Sequence, residues 1–441
     1  MRLASYVRDL HCDALRFTKD DQKERQMSTT PQPADAMSQA LEDIDVSRPE
    51  RFRDDTWQDW FARLRNEDPI HYCKDSPNGP YWSVTSHADI KAVDTNHAVF
   101  SSEAKGISIV EPREEDGGIE NFIAMDPPRH DQQRKTVTPS VAPTNLATME
   151  PLIRERVIDI LENLPVGETF NWVDRVSVEL TARMLATLFD FPYEDRRKLV
   201  YWSDITTNIP QVTGIEIDMA ERQAGLQECA VTFYQLWQQR AAEPPKFDLI
   251  SMLAHGEATK DLINDPMGLL GNIILLIVGG NDTTRNSISG GVIALNQYPK
   301  EYQKLREDAA LIPNMVSEMI RWQTPVIHMR RTALEDYNLS GKHIKKGDKV
   351  VMWYLSGNRD EQVFPEADKF IINRDNARQH VAFGFGVHRC MGNRLAEMQL
   401  RVLWEEIQTR FSRVEIVGDV VRLPNNFIRG ISEVPVVLHP H

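Results

Sequence analysis

The stretch His380-Val-Ala-Phe-Gly-Phe-Gly-Val-His-Arg-Cys-Met-Gly392 sets three glycines around one cysteine. It runs directly into Asn393-Arg-Leu-Ala-Glu-Met-Gln-Leu-Arg401, whose apolar spacing is helical. Cys390 therefore lies in a glycine-rich loop just before a helix N-terminus, where free N–H groups and the positive end of the helix favour an anion. The expectation is a thiol pushed toward thiolate, able to ligate a soft or borderline metal. Gly384, Gly386 and Gly392 would let the backbone approach something flat and large, and Phe383 would cover the sulfur.

Five fixed positions, Phe383, Gly386, His388, Cys390 and Gly392, make this more than a cysteine in a tight turn. The pattern Phe-x-x-Gly-x-His-x-Cys-x-Gly resembles the haem-binding loop of the cytochrome P-450 superfamily. In that family the cysteine thiolate is the proximal iron ligand and pushes electron density toward the metal. The resemblance implies haem b (iron protoporphyrin IX) on Cys390, with Phe383, Gly384, His388 and Gly392 around it. It also implies a mainly α fold with small β-sheets, folded as one large domain.

Motifs upstream agree with it in kind and order. The run Gly279-Gly280-Asn281-Asp282-Thr283-Thr284 lies inside the helical pattern Leu262–Gln297 and is similar to the family's oxygen-activating motif. Asp282 would then relay protons and Thr283 would hydrogen-bond to bound dioxygen. Two interior glycines weaken a helix by about 1 kcal/mol each relative to Ala, and room for dioxygen above the haem accounts for Gly279 and Gly280. Glu318 and Arg321 share a helix face and match the family's Glu-x-x-Arg pair, which closes with Arg374 in a structural role. His130 and Arg134, after Met125-Asp-Pro-Pro, match the helix that approaches one propionate, and Arg331 with His388 match positions near the other. Arg285 follows the acid and alcohol closely, and its partner is not legible in sequence.

Composition fits an enzyme of this type. The 441 residues are 41% hydrophobic and 26% charged, an ordinary globular balance. A net charge of −14 argues against a surface that tracks nucleic-acid phosphates or anionic lipid. Cys12, Cys73, Cys229 and Cys390 stand far apart without a CxxC pair, so neither a disulfide framework nor a zinc ribbon is indicated, and a cytoplasmic location fits best. The longest apolar stretch, between Asp265 and Asp282, is broken by Pro266, Asn272 and glycines, and falls short of the roughly 20 apolar residues of a membrane span. Residues 1–47 read as a flexible extension, of which 1–26 can precede a second start at Met27, and residues 48–441 as the haem domain, with its packed body expected from about Trp57. Helical spacing covers Met149–Leu164, Val176–Leu188 and Ala220–Gln239. Strands are expected at Ile70–Cys73 and Tyr81–Thr85, and strand-rich patches at Tyr337–Leu355 and Val414–Leu438.

No flavin or dinucleotide motif and no ferredoxin-like cysteine run is present, so electrons come from another protein. Arg374, Arg378, Arg389, Arg394 and Arg401 against Asp375 and Glu397 make a basic face suited to an acidic ferredoxin, itself served by a ferredoxin reductase. The segments Asn121–His130, Gly279–Ser287 and His328–Asp336 resemble those of bacterial soluble alkane and fatty-acid terminal hydroxylases. That resemblance implies insertion of one oxygen atom from O2 at a terminal C–H of a medium-chain aliphatic. Matching substrate regions gives Gly106, Ile107, Leu276, Gly279, Val326, Ile327 and Phe427 as channel residues. Two alternatives stand beside it: the same fold acting on a terpene, steroid or aromatic ring, and a haem-binding sensor without turnover.

Overall fold

The computed structural model describes residues 36–111 and 120–441. From Glu42 onward these residues form one compact body, and the segment before it is described here only from residue 36. Most of the expected flexible arm thus lies outside the described residues. Its expected boundary at 47 and the packed start near Trp57 both come too late, because Ile44, Asp45 and Val46 are already buried. Asp45 there accepts hydrogen bonds from Ser47 and from the Tyr81 hydroxyl at 2.9 Å.

Helices dominate, and one of them organises the rest. Pro266–Gln297 is a single helix whose first turn is set by Asp265, which accepts from the Gly268 N–H, and by Pro266 at its first position. That cap explains why it starts at 266 while the apolar pattern begins at Leu262. The helix is buried along most of its length and packs against helices Glu179–Phe189, Arg197–Thr207, Met219–Ala242 and Ile312–Gln323. A helix that is apolar nearly all round belongs in the middle of a domain. Two large apolar clusters meet on it, one containing Ile273 and Ile277 and the other Ile288, Val292 and Leu295.

The main sheet has five strands in the order Ile70–Cys73, Tyr81–Val84, Lys349–Met352, Met329–Ala333 and Phe100–Ser101, with only the second and third parallel. Its register sets Arg331 opposite Val350 and Ser101 opposite Thr332. A three-stranded sheet, Phe170–Asn171, Pro435–Pro440 and Phe411–Ile416, closes the chain's end. The strand-rich reading of Tyr337–Leu355 holds only to Met352, since Tyr354–Gly357 forms a helical turn. A Cβ at Gly357 would lie 2.7 Å from Ile90 and 3.2 Å from Val381, so this turn is pressed against helix His87–Thr95.

Candidate functional site

The cysteine loop is held from behind by helix His87–Thr95. Gly384 and Gly386 both take φ +66°, the left-handed region that favours glycine. A Cβ on Gly386 would stand 2.5 Å from the Asp94 carbonyl oxygen, and one on Gly384 would stand 3.2 Å from the Asp94 carboxylate and the Tyr354 hydroxyl. These glycines let the loop cross a helix closely. Approach to a flat ligand, expected for Gly384, Gly386 and Gly392, is not what the first two positions require. Gly392 differs, because its nearest neighbour is the Cys390 Sγ at 4.0 Å.

Cys390 donates its N–H to Phe383 O at 2.8 Å, which closes the loop. Phe383 is half-buried and packs on the His380 ring. Of the three described cysteines, Cys73 and Cys229 are buried and Cys390 is exposed. Partial desolvation by the surrounding loop nevertheless pushes its pKa above the ordinary value. The N–H groups of Gly392 and Asn393 and the charges of Arg134 and Arg389 pull the other way, as the helix N-terminus suggested, but desolvation outweighs them.

Beside this loop lies a cationic cluster. The rings of His130 and His388 are 4.3 Å apart. His130 meets Asp131 through Nδ1 at 2.7 Å, and His388 meets Ser102 Oγ through Nε2 at 3.1 Å. The remaining ring nitrogens, His130 Nε2 and His388 Nδ1, are buried and have no partner among the described residues. Burial, then the charges of Arg331, His130 and Arg134, push the His388 pKa down to about 2. Arg134 donates to the Arg389 carbonyl, and Arg331 binds Asp94 at 2.7 Å. Buried polar atoms without partners are costly, so these ring nitrogens are placed to meet a further polar group.

The central helix opens on one face. Leu276, Gly279 and Thr283 follow at spacings of three and four, and all three are accessible while their neighbours Ile277, Asn281 and Asp282 are buried. A Cβ on Gly279 would meet nothing within 4 Å. Gly280 does not share this space: its Cβ would lie 2.7 Å from Leu185, so this glycine serves packing against helix Glu179–Phe189 and not the expected room above a cofactor. Met391, next to Cys390, packs against both large apolar clusters.

Thr283 Oγ1 donates to Gly279 O at 2.9 Å on the open face. Asp282 points the other way. Its carboxylate is fully buried, accepts from Ser203 Oγ at 3.2 Å and Thr207 Oγ1 at 3.1 Å, and pairs with Arg285 at 2.6 Å. Burial raises its pKa against the lowering effect of Arg285. Arg285 in turn binds Asp204 at 2.5 Å, which supplies the partner that sequence could not. Ser203, Asp204 and Thr207 were not foreseen; their only signal is polar spacing along one helix.

Glu318, Arg321 and Arg374 meet in the interior. Arg321 grips Glu318 through two bonds of 2.7 and 2.8 Å, and Arg374 Nε lies 3.1 Å from the same carboxylate. Glu318 also accepts from the Ile371 N–H at 2.9 Å, so the ion pairs fasten the segment leading to the cysteine loop. Arg374 is thereby removed from the basic face, and Arg401 is paired with Glu150 and Glu405. Arg378, Arg389 and Arg394 stay exposed.

Of the expected channel residues, Ile107, Val326, Ile327 and Phe427 lie on loops tied together through a histidine that sequence reading passed over. His328 Nε2 accepts from the Ile109 N–H at 3.0 Å, its Nδ1–H donates to Asn426 O at 2.9 Å, and its ring packs on Trp353 and Phe427. Gly106 takes φ +82°, Ile107 O accepts from the Arg330 N–H at 2.7 Å, and Ile327 N–H donates to Phe427 O at 2.9 Å. Gly106, Ile107, Val326 and Phe427 are partly accessible. Ile327 is fully buried, a core position that borders no open space.

Comparison with known proteins gives this arrangement a family. A cytochrome P450 family model matches residues 216–431. The linalool 8-monooxygenase of Pseudomonas putida is 38% identical, covering 91% of this chain and 100% of its own. The steroid C26-monooxygenase of Mycolicibacterium smegmatis is 34% identical over 84% of this chain and 88% of its own. The structure of cytochrome P450-153 from Novosphingobium aromaticivorans superimposes with a TM-score of 0.84 at 45% identity, covering 90% of this chain and 99% of that one. This chain is a member of the cytochrome P450 family.

P450s hold haem b through a cysteine thiolate and are monooxygenases that use O2 and redox partners. The residues of this P450 fit that group: one accessible thiol, two arginines and two unpartnered histidine nitrogens near it, and an accessible face on the central helix. Among the described residues no helix is long and apolar enough to cross a membrane.

Proposed function

We propose that this P450 inserts one oxygen atom at the terminal C–H of a medium-chain alkane or fatty acid. Cys390 is the thiolate ligand in this reading, and His130, Arg134, Arg331 and His388 receive the propionates. Bound haem supplies the activation of O2 that attack on an unactivated C–H requires. The observation that carries the substrate class is the open face of the central helix. Leu276 and Gly279 on it are apolar and accessible, as are Ile107, Val326 and Phe427 in the loops tied through His328, and Thr283 adds one hydroxyl. An apolar slot that admits a chain end-on favours the terminal carbon by position, against the greater strength of its C–H bond.

The protein's own part in the chemistry is proton handling and exclusion of water. Thr283 presents its hydroxyl to the open face, and Asp282 stands one residue behind it, out of that space. Protons reach Asp282 from the side of Asp204, whose side chain is 20% exposed, past Arg285 at 10%. Electrons come from a ferredoxin and its reductase. Exposed Arg378, Arg389 and Arg394 support an acidic partner on the cysteine-loop side.

The names of two relatives support oxygen insertion at a chain end, since carbon 8 of linalool and carbon 26 of a steroid are both methyl carbons at the end of a branched aliphatic chain. The first also favours a second reading, an acyclic terpene alcohol as substrate. The deciding experiment titrates the ferric holoprotein with n-decane, decanoate and linalool, following the haem Soret band, then analyses the products. A Soret shift with decane or decanoate and oxygen on the terminal carbon is the expected result. A shift with linalool alone moves the assignment to the terpene, and subterminal products overturn the terminal reading.

A further inference from the structure

Asp94 is a buried carboxylate in the last turn of helix His87–Thr95, the end at which the helix dipole disfavours negative charge. It is kept there by three donors from three separate parts of the chain. Arg331 Nη2 binds Oδ1 at 2.7 Å, the Tyr354 hydroxyl binds Oδ2 at 2.9 Å, and the Phe385 N–H binds Oδ2 at 2.6 Å. Burial, followed by the charge of Asp94, holds the Tyr354 phenol well above its usual pKa, so it remains a donor. Phe385 stands five residues before Cys390, and the Asp94 backbone oxygen is the atom a side chain at Gly386 would strike. One residue thus fixes both the position of Arg331 and the path of the cysteine loop.

The same residue decides how much positive charge the cluster presents. Arg331, His130, Arg134 and His388 face the place where an anionic group is needed, and among the described residues the one ion pair of Arg331 is with Asp94. Both side chains are nearly inaccessible, at 3% and 1%, where solvent screens charge weakly. Arg331 cannot be counted as a free cation there.

We propose that Asp94 is a positioning residue that sets the haem reduction potential: it holds Arg331 and the cysteine loop in one frame and cancels part of the Arg331 charge. This rests on the reading that Arg331 stands beside a haem propionate. Removing a negative charge near the haem stabilises the more electron-rich ferrous state, so Asp94→Asn is expected to raise the potential. Asparagine keeps the shape and one acceptor oxygen, but its amide nitrogen must face either Arg331 or the Tyr354 and Phe385 donors, so the ferrous–CO spectrum is read beside the midpoint to separate lost charge from a displaced loop.

The test is the ferric/ferrous midpoint of the holoprotein by spectroelectrochemistry, in Asp94→Asn, Arg331→Gln and the double variant. The ferrous–CO Soret position reports whether the thiolate is kept. Asp94→Asn is expected to raise the ferrous-to-ferric ratio at the wild-type midpoint about tenfold, equivalent to about 59 mV for one electron. Arg331→Gln is expected to lower the midpoint, and the double variant to return close to wild type. An unchanged midpoint in Asp94→Asn overturns the proposal, and so does a loss of haem retention without a shift in the holoprotein that remains. An unchanged midpoint in Arg331→Gln overturns instead the placement of the propionate on which it rests. Should Asp94→Asn fail to load haem, Arg331→Gln against the double variant reads the same charge, and equal midpoints there refute the proposal.

Discussion

Asp282 and Arg285, three residues apart on the central helix, are bound at 2.6 Å, and Arg285 spends the same nitrogen on Asp204 at 2.5 Å. The carboxylate proposed to pass protons is therefore clamped by a cation whose other attachment leads toward solvent. Arg285→Gln leaves Asp282 buried without its counter-charge, and its pKa, already raised by burial, rises further. Breaking such a pair costs about 3–5 kcal/mol. The expected outcome is a lower urea midpoint and a pH profile of kcat displaced upward. An unchanged profile in a folded variant removes Arg285 from the proton path.

Thr283 and Asp282 are adjacent in sequence yet face different sides of the helix, so their replacements separate two functions. Thr283→Ala removes a hydroxyl from the open face without disturbing the buried ion pairs. Haem binding and the ferrous–CO spectrum are expected to persist, while product per electron pair falls several-fold and hydrogen peroxide is released instead. Equal coupling in variant and wild type would take Thr283 out of the mechanism.

The two helix glycines make a paired test. Gly279→Ala adds a methyl group to open space and gains about 1 kcal/mol of helix propensity. Gly280→Ala drives a methyl group to 2.7 Å from Leu185, which must shift, and overpacking of this kind costs about 1–3 kcal/mol. Gly279→Ala is thus expected to raise stability and weaken binding of the aliphatic ligand. Gly280→Ala should lower stability with little effect on that binding. Urea midpoints and Soret titrations on both variants check the pattern, and the reverse assignment would place the open face wrongly.

What was legible in sequence follows how far apart the cooperating residues are. The cysteine loop is contiguous, so its type could be read directly, and the long helices announced themselves by periodic apolar residues and by a cap such as Asp265-Pro266. Partners drawn from distant segments left no such mark. Asp94 meets Phe385 across 291 positions, Ser102 meets His388 across 286, and His328 meets Ile109 across 219. The identities of Gly280 and Gly384 were visible, but their reasons were not, because each answers to a side chain on another helix. Arg401 looked like surface charge and is held by Glu150 and Glu405, whereas the place of Arg374 on Glu318 was legible only through the motif it completes. A count of charges along the chain cannot show which of them remain free.

His328 offers a pH test of the loop that joins Ile109 to Asn426. Burial pushes its pKa down to about 3 from an ordinary 6.5, and its hydrogen bonds to the Ile109 N–H and the Asn426 carbonyl need the neutral ring. Between these values the unfolded chain binds a proton that the folded state does not. Stability therefore rises with pH across that window and is lost as pH falls from 6.5 toward 3. The slope from one such group approaches about 1.4 kcal/mol per pH unit. His328→Gln is expected to lower stability at pH 7, because Ile109 and Asn426 lose their shared partner. It is also expected to flatten the pH dependence of the unfolding free energy by about one proton between pH 6 and 4. Urea unfolding of the holoprotein across that range measures both. Parallel curves for variant and wild type would show that His328 is not held neutral in the fold, and would detach the Gly106–Ile109 loop from Phe427.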